Sequence, residues 1–523
     1  MLLVVARPTA AGLGACLGSL AGQRREHWRL AVSVVGPLDA EAATVLSVGL
    51  GALSPPLVSV EHRPPGTPIP EATAALFEGS TAPAFVVLGQ HDVLAPDALD
   101  LLSRALGDAD LAYADEDRRD AQGLACTPVL KPDWSPTLYL SWPYLGRPVA
   151  LLREAVVRAG GIRPVPGGDW EQDLVLRLAD HGVRVAHVAE VLCRRPVSTP
   201  PADVGDGAVV AALDRREEDA EVARGPLPGT WRVRRRPRGR PSVTAVIPFR
   251  DTAALVRACV DTVLATAGDN DLDLVLVDNG SEEHETMTLL ERLAPLDQVT
   301  VLHDPQPFNW AAINNAAVAS ARGEVLLFLN NDIEARTSGW LDALVAQATR
   351  PSVGVVGARL LYPAGRVQHA GVVVGLGGAA GHVLAGLGGE RPGYLGMAVL
   401  TRDVTSVTGA CFGTRREVFD RLGGFDEALG LDLNDIDYCL RARELGLQVV
   451  YEPLAELVHH ESPSRGTSGS PEDQDRFIRR WADLVAGGDP FLNRNLTRMD
   501  FSAALRVADE EKEISTWLSN LPA

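Results

Sequence analysis

Two stretches of this chain repeat one pattern. Residues 173–187 read DLVLRLADHGVRVAH, and residues 437–451 read DYCLRARELGLQVVY. In each, an Asp is followed by Leu-Arg, with the Arg four residues on, and then by a Gly and a short apolar run. Gly-Gly and an apolar residue stand before each: Gly160-Gly161-Ile162 and Gly423-Gly424-Phe425. Near the starts, ACLGSL (15–20) echoes ACVDTV (258–263). This period is far above the roughly 20–50 residues of stacked repeats, so two copies of one domain are expected rather than a solenoid. The 523 residues allow two or three domains at about 100–200 residues each.

The second copy carries the clearer signal. SVTAVIPF (242–249), LDLVLVD (272–278), QVTVLH (298–303) and VLLFL (325–329) are short apolar strands alternating with segments of helical spacing at 252–266 and 310–321. That alternation predicts an α/β fold with a parallel sheet covered on both faces. The expected organisation is a first domain over 1–195, a Pro- and Arg-rich linker over 196–240, a second domain over 241–500 and a helical tail over 501–523. The linker ends in WRVRRRPRGRP. Its arginines either serve a plain linker or touch anionic lipid head groups.

Composition excludes several classes. A formal net charge of -19 argues against a nucleic-acid binder, which would show a basic face. Six scattered cysteines without a CxxC pair argue against a disulfide framework or a zinc–thiolate site and for a reducing compartment. The N-terminal MLLVVARPTAAGLGACLGSLAG lacks a basic n-region and reads as a strand and a helix rather than a signal peptide. No stretch reaches the 18 or so apolar residues of a spanning helix. The nearest, GVVVGLGGAAGHVLAGLGG (371–389), reads as a buried glycine-rich loop. It contains Gly375-x-Gly377-x-x-Ala380, but glycines continue where a helix should open, which speaks against dinucleotide binding.

In open α/β sheets ligands sit beyond the carboxyl ends of the strands. Asp278 and Asn330-Asn331-Asp332 fall at such ends. Asp278, in VDNGS, either forms a turn or accepts hydrogen bonds from a ribose or base. Asp332 either caps the next helix or reaches a hard cation. Such a cation typically takes one or two protein carboxylates and completes its shell with phosphate oxygens and water. In NDIDYCLRAREL (434–445), Asp437 and Arg441 form a helix-stabilising i,i+4 pair. Asp435 either caps the helix start or acts as a general base. His459, after an apolar run, is either structural or a nitrogen ligand beside Asp332.

The ordered blocks IPFRD (247–251), VDNGS (277–281), FNWAAINNAA (308–317), RGEVLLFLNNDIE (322–334), HAGVVVGLGGAAGH (369–382), VTGACFGTRREVF (407–419), GGFDE (423–427), NDIDYCLR (434–441) and HHES (459–462) resemble family 2 glycosyltransferases of the rhamnosyltransferase-like, O-antigen and surface-polysaccharide type. The resemblance covers about 240–500 and, weakly, 1–200. It implies tandem GT-A folds and an inverting, metal-dependent transfer from a nucleotide sugar, with dTDP-rhamnose the first expectation. The acceptor would be a glycan or a lipid-linked glycan, and the site cytoplasmic, with a peripheral membrane contact allowed. By this resemblance Pro248, Arg250, Asp278, Asn315, Asn330, Asn331 and Asp332 bind the nucleotide sugar. Asp332 and His459 hold Mn2+ or Mg2+, and Asp435 is the catalytic base. Asn330 and Asn434 depart from the general acidic pattern.

The first copy lacks several of these groups. SVVGP (33–37) carries Val where the VDNGS acid would be. LGQHDVL (88–94) keeps only Asp92, and DWEQDLVLR (169–177) places Glu171 near the Asp435 position. YADEDRRD (113–120) and KPDWSP (131–136) still resemble the family. A degenerate first domain that has lost sugar-nucleotide binding is expected. The competing readings are a non-catalytic carbohydrate-binding or scaffold protein and a nucleotidyltransferase; the latter would need a glycine-rich phosphate loop that IPFRD lacks.

Overall fold

The computed structural model describes residues 1–523 except 26, 54–57, 121–124, 198–204, 238, 462–469, 509 and 511–523. The chain is mixed α/β and divides into two compact units. One is Met1–Glu217 with Val222–Arg232; the other is Glu218–Glu221 with Val233–Ala523.

The first unit holds β1 (Leu2–Val5), β2 (Leu30–Val35), β3 (Val58–Arg63), β4 (Ala84–Leu88), β5 (Val93–Leu94), β6 (Leu111–Arg119), β7 (Ala125–Val129), β8 (Val149–Leu152) and β9 (Val185–Pro196). They form one sheet in the order β3-β2-β1-β4-β8-β6-β9-β5, with β7 on β6. After β10 (Ala220–Arg224) and β11 (Trp231–Arg235), the second unit contributes β12 (Ser242–Phe249), β13 (Asp271–Asp278), β14 (Val299–His303), β15 (Val325–Leu329), β16 (Ile333–Glu334), β17 (Val353–Leu361), β18 (Val367–His369), β19 (Val372–Val374), β20 (Ala380–His382), β21 (Arg402–Asp403), β22 (Cys411–Arg415) and β23 (Gln448–His459). Its main sheet runs β14-β13-β12-β15-β22-β17-β23-β16, with β18 on β17 and β21 on β23. In both sheets the first four strands of this order are parallel and the next runs antiparallel to them.

The four expected strands of the second copy are present. The apolar runs of β12 and β15 are buried on both faces, as central parallel strands under helices must be, while β14 at the sheet edge is half-exposed. Helix Ala253–Thr266 lays Val256, Cys259, Val260 and Val263 on this sheet, at helical spacing. Trp340 is fully buried there and donates its indole N–H to Thr266 Oγ1 at 2.9 Å.

The repeated sequence pattern has one physical cause. In the second unit, Asp437 accepts from Arg441 Nε at 2.7 Å, and the Arg441 fork continues to the carbonyls of Leu422 and Gly424, both at 2.8 Å. Gly423 and Gly424 carry φ of 74° and 77°, a left-handed turn that favours glycine. In the first unit, Asp173 and Arg177 pair at 2.7 Å, and Arg177 donates to Ala159 O and Gly161 O beside the Gly160-Gly161 turn. The Gly-Gly and the Asp/Arg pair are thus two ends of one brace, which goes beyond the helix stabilisation expected from spacing. Asp437 is fully buried and also meets Trp481 Nε1 at 3.0 Å and Arg480 at 3.1 Å. Asp437→Ala leaves Arg441 without its counter-charge, so it is expected to lower stability by about 3–5 kcal/mol. Urea unfolding of the purified variant measures this.

The 196–240 segment is not a bare linker. Among its described residues, Gly207–Arg215 is a helix that buries Ala208, Val209, Ala212 and Leu213. Arg215 reaches Asp173 at 3.1 Å, as Arg480 of helix Pro471–Arg480 reaches Asp437. β11 alternates buried and exposed residues, with Arg224 over the Trp231 ring at 4.5 Å. The Pro and Arg content hid this pattern, because Arg232 and Arg234 fill the outward positions and Arg235 is buried against Glu218. The glycine-rich 371–389 segment forms the β19–β20 hairpin, and its GxGxxA run sits in the turn rather than at a helix start. The tail expected to be helical lies mostly outside the described residues. The five cysteines with described side chains are buried and free. No helix among the described residues is long and apolar enough to cross a membrane.

Candidate active site

The reversal of strand direction beside β15 gathers the polar residues of the second unit. β15 ends at Leu329, and its antiparallel neighbour β22 begins opposite it at Cys411, so Asn330 N–H donates to Ala410 O at 3.1 Å. On the far edge Ile333 of β16 pairs with His459, the last residue of β23, and His460 N–H donates to Asp332 O at 3.0 Å. The loops after β15, before β22 and after β23 therefore meet at one end of the sheet.

Asp332 and His459 are the central pair. Both are buried, and Oδ1 of Asp332 stands 3.0 Å from Nε2 of His459. The other ring nitrogen, Nδ1, is 2.6 Å from Oε1 of Gln368 on β18, whose amide nitrogen faces Glu461 at 3.5 Å. With its amide oxygen toward the ring, Gln368 accepts from Nδ1–H, which leaves Nε2 facing the Asp332 carboxylate and the Asn330 amide. A ring nitrogen and a carboxylate oxygen at that distance can share a metal ion, and the Asn330 amide nitrogen stands beside the same Nε2 at 3.3 Å. The donor set therefore fits a divalent cation with one oxygen and one nitrogen ligand. Among the described residues no group of three or more His, Cys, Asp or Glu side chains forms a complete cage. The remaining ligands would come from a phosphate-bearing ligand and water.

Asp435 lies in the first turn of helix Asn434–Glu444. Its Oδ2 accepts from Gly409 N–H at 2.6 Å and its Oδ1 from Ile436 N–H at 2.8 Å. Gly409 is one residue from Ala410, which bonds Asn330, so Asp435 and Asp332 belong to the same end of the sheet. A side chain at 409 would be crowded: a Cβ there would stand 3.0 Å from the Trp310 ring and 3.4 Å from Asp435 Oδ2. Trp310 is itself packed edge-on against Phe425, with ring centroids 4.9 Å apart.

The tips of β12 and β13 build a second wall. Asp278 is buried, accepts from Ser281 N–H at 2.8 Å and meets His303 Nδ1 at 3.1 Å. Its turn-forming role is thus present, with one carboxylate oxygen toward the exposed His303. Asp251 and Thr252 both have left-handed φ, 55° and 60°. The Asp251 carboxylate holds that shape by accepting from Glu283 and Glu282 N–H, which also keeps it below the usual carboxylate range. Asn331 donates to Thr252 Oγ1 at 3.0 Å, which joins this loop to the one carrying Asp332.

Three expected site residues sit differently. Pro248 is buried within β12 opposite Val277. Arg250 is exposed and bonds Glu282 at 3.2 Å. Asn315 spends both ends of its amide on the 424–427 loop: it accepts from Phe425 N–H at 2.9 Å and donates to Phe425 O and Glu427 Oε1 at 2.9 and 3.0 Å. Its side chain has a scaffold task because its helix lies beside that loop. Gln368, Gly409, Thr252 and His303 were missed as site residues. None carries a periodicity or charge signal; only their place in quoted or adjoining blocks hinted at them.

At the corresponding end of the first unit, Asp92 is buried and accepts from Gly89 N–H at 2.6 Å. It faces guanidinium groups rather than an imidazole: Arg195 Nε at 3.4 Å and Arg147 Nε at 3.5 Å. Arg147 also grips Glu171 through both Nη atoms.

Residues 244–423 match the family described as Glycosyl transferase family 2. The chain is 41% identical over 446 residues to O-antigen biosynthesis protein RfbC of Myxococcus xanthus, covering 82% of this chain and 35% of that protein. It is 35% identical over 530 residues to protein y4gI of Sinorhizobium fredii, covering 96% of this chain and 58% of that one. It is 26% identical over 228 residues to N-acetylglucosaminyl-diphospho-decaprenol L-rhamnosyltransferase of Mycobacterium tuberculosis, covering 39% of this chain and 71% of that one. The chain thus spans little more than a third and under two thirds of the first two relatives.

Proposed function

We propose, from the premise that residues 244–423 are a glycosyl transferase family 2 domain, that the second unit transfers a sugar from a nucleoside diphosphate sugar to a hydroxyl of a glycan or lipid-linked acceptor. The product belongs to cell-surface polysaccharide synthesis, and dTDP-rhamnose is the first donor to test. The reaction would run on the cytoplasmic side, where nucleotide sugars are made. The first unit is a degenerate GT-A-like copy; its matching strand order and missing ligands support that reading. The observation that carries the whole is the Asp332–His459 pair with its Gln368 support, at the same sheet end as a separate carboxylate, Asp435.

The chemistry divides between those groups. Asp435 takes the proton of the acceptor hydroxyl as that oxygen forms its bond to the anomeric carbon. The bond from that carbon to the diphosphate oxygen breaks on the opposite face, so configuration inverts and the diphosphate leaves with the electron pair. Asp332 and His459 would hold Mn2+ or Mg2+, which supplies Lewis-acid stabilisation of charge on the leaving diphosphate. Asp278 and the loop 250–252 lie where a nucleoside would rest, with Asp278 accepting a hydrogen bond from base or ribose.

Titration of the full chain with UDP, dTDP and GDP, each with and without Mn2+, tests this. Metal-dependent binding of one nucleotide supports the reading; no binding of any leaves the scaffold alternative. Gln368→Leu removes the acceptor of the His459 Nδ1 proton. It is expected to weaken Mn2+ binding about 10–100-fold, read directly by electron paramagnetic resonance without substrate. Gln368→Glu retains an acceptor and should bind Mn2+ at least as well as the parent.

A further inference from the structure

The two units fill one part of the fold differently. Cys16 Sγ donates to Gly89 O in the first and Cys259 Sγ to Asn330 O in the second, both at 3.7 Å, which marks matching strand ends. Two residues before each stand Val87 and Phe328. On the neighbouring strand, Ala150 pairs with Val86 and Gly413 with Leu327, so Val149 matches Phe412. In the second unit, Phe328 and Phe412 join Trp310, Phe419, Phe425 and Tyr438 in continuous ring packing. In the first unit the same strand positions carry valines, and a cavity of about 180 Å³ lies there, bounded also by Tyr139, Trp170, Arg147 and Glu171.

Its chemistry selects an occupant. The floor is aliphatic, and Tyr139 and Trp170 add ring surface suited to the C–H face of a ligand. Arg147, Arg195, Asp169 and Glu171 lie at the polar side, two cations against two carboxylates, offering donors and acceptors in planar arrays without net charge. A diphosphate would have to break the Arg147–Glu171 and Arg195–Asp92 pairs. An alkyl chain would cover the carboxylates of Asp169 and Glu171 without bringing a donor. The volume is below the ~300–1,000 Å³ of drug-sized sites, which limits the guest to about one ring. We propose that this cavity binds one ring of a neutral sugar, making the first unit a glycan-holding module without a metal or a nucleotide.

Saturation-transfer NMR on the full chain with D-glucose, D-galactose, D-mannose, L-rhamnose and N-acetyl-D-glucosamine tests this, with 1-hexanol as the apolar probe. At least one sugar is expected to receive saturation. Glu171→Gln is expected to weaken its binding about tenfold, and Trp170→Ala to abolish it. Val87→Phe, which supplies the ring found in the second unit, should abolish it with an unchanged urea midpoint. Asp332→Ala should leave it intact, so failure of the transfer reading does not touch this result. Silence from all five sugars, hexanol binding alone, or a sugar signal that follows Asp332→Ala instead of Val87→Phe overturns the proposal.

Discussion

Asp435→Asn is expected to lower sugar transfer by about 10²–10⁴ at saturating donor, the range for loss of a general base, while nucleotide binding stays as in the parent protein. The amide matches the carboxylate in shape, and its oxygen can still accept from Gly409 N–H, now at 2.6 Å. The Trp310 packing therefore survives; what is lost is the acceptor for Ile436 N–H at the helix start and the capacity to take a proton. Turnover measured with saturating donor and acceptor, alongside calorimetric titration of the nucleotide, separates the two. Equal loss of binding and turnover would mean that Asp435 holds the loop around Gly409 rather than the proton.

Asp332→Ala carries the second large effect. It removes the carboxylate 3.0 Å from His459 Nε2, leaving the imidazole to hold a hard cation. The metal-dependent part of nucleotide affinity should fall more than about 10²-fold, since changes one shell further out already cost 10–100-fold. Binding measured without metal should hardly move. Asp332→Asn gives the control for volume. A nucleotide affinity insensitive to Asp332→Ala, or to chelation in the parent, would sink the metal role.

The strands and their polar tips were legible because each rests on local periodicity. Apolar runs such as VLLFL can only be buried, and Asn330-Asn331-Asp332 had to emerge where the run stops. The brace was legible as a pattern and illegible as a structure: nothing in DxxxR says that the Arg fork reaches carbonyls beside a Gly-Gly turn. The linker misled because helix Gly207–Arg215 and β11 carry their apolar residues among prolines and arginines. The bonds of Asn315 to the 424–427 loop were illegible because an amide in a quoted block looks the same whether it faces a ligand or a neighbouring loop. Gln368 was invisible for the opposite reason. Its role exists only through a strand pairing that brings residue 368 against residue 459.

The pairing of the β15 tip with the end of β23 also orders events in time. Asn330 and His459 meet across 129 positions, and His459 closes the last strand of its sheet. A ribosome that has released the chain through Asp332 has made the tips of β12 and β13 and Asp332 but neither Asp435 nor the imidazole. Non-local strand pairing waits for the distant segment to emerge. On the proposed function, a nascent or prematurely ended chain would carry the Asp278 wall but would not turn over. Catalytic competence would appear in one step, when residue 459 clears the exit tunnel.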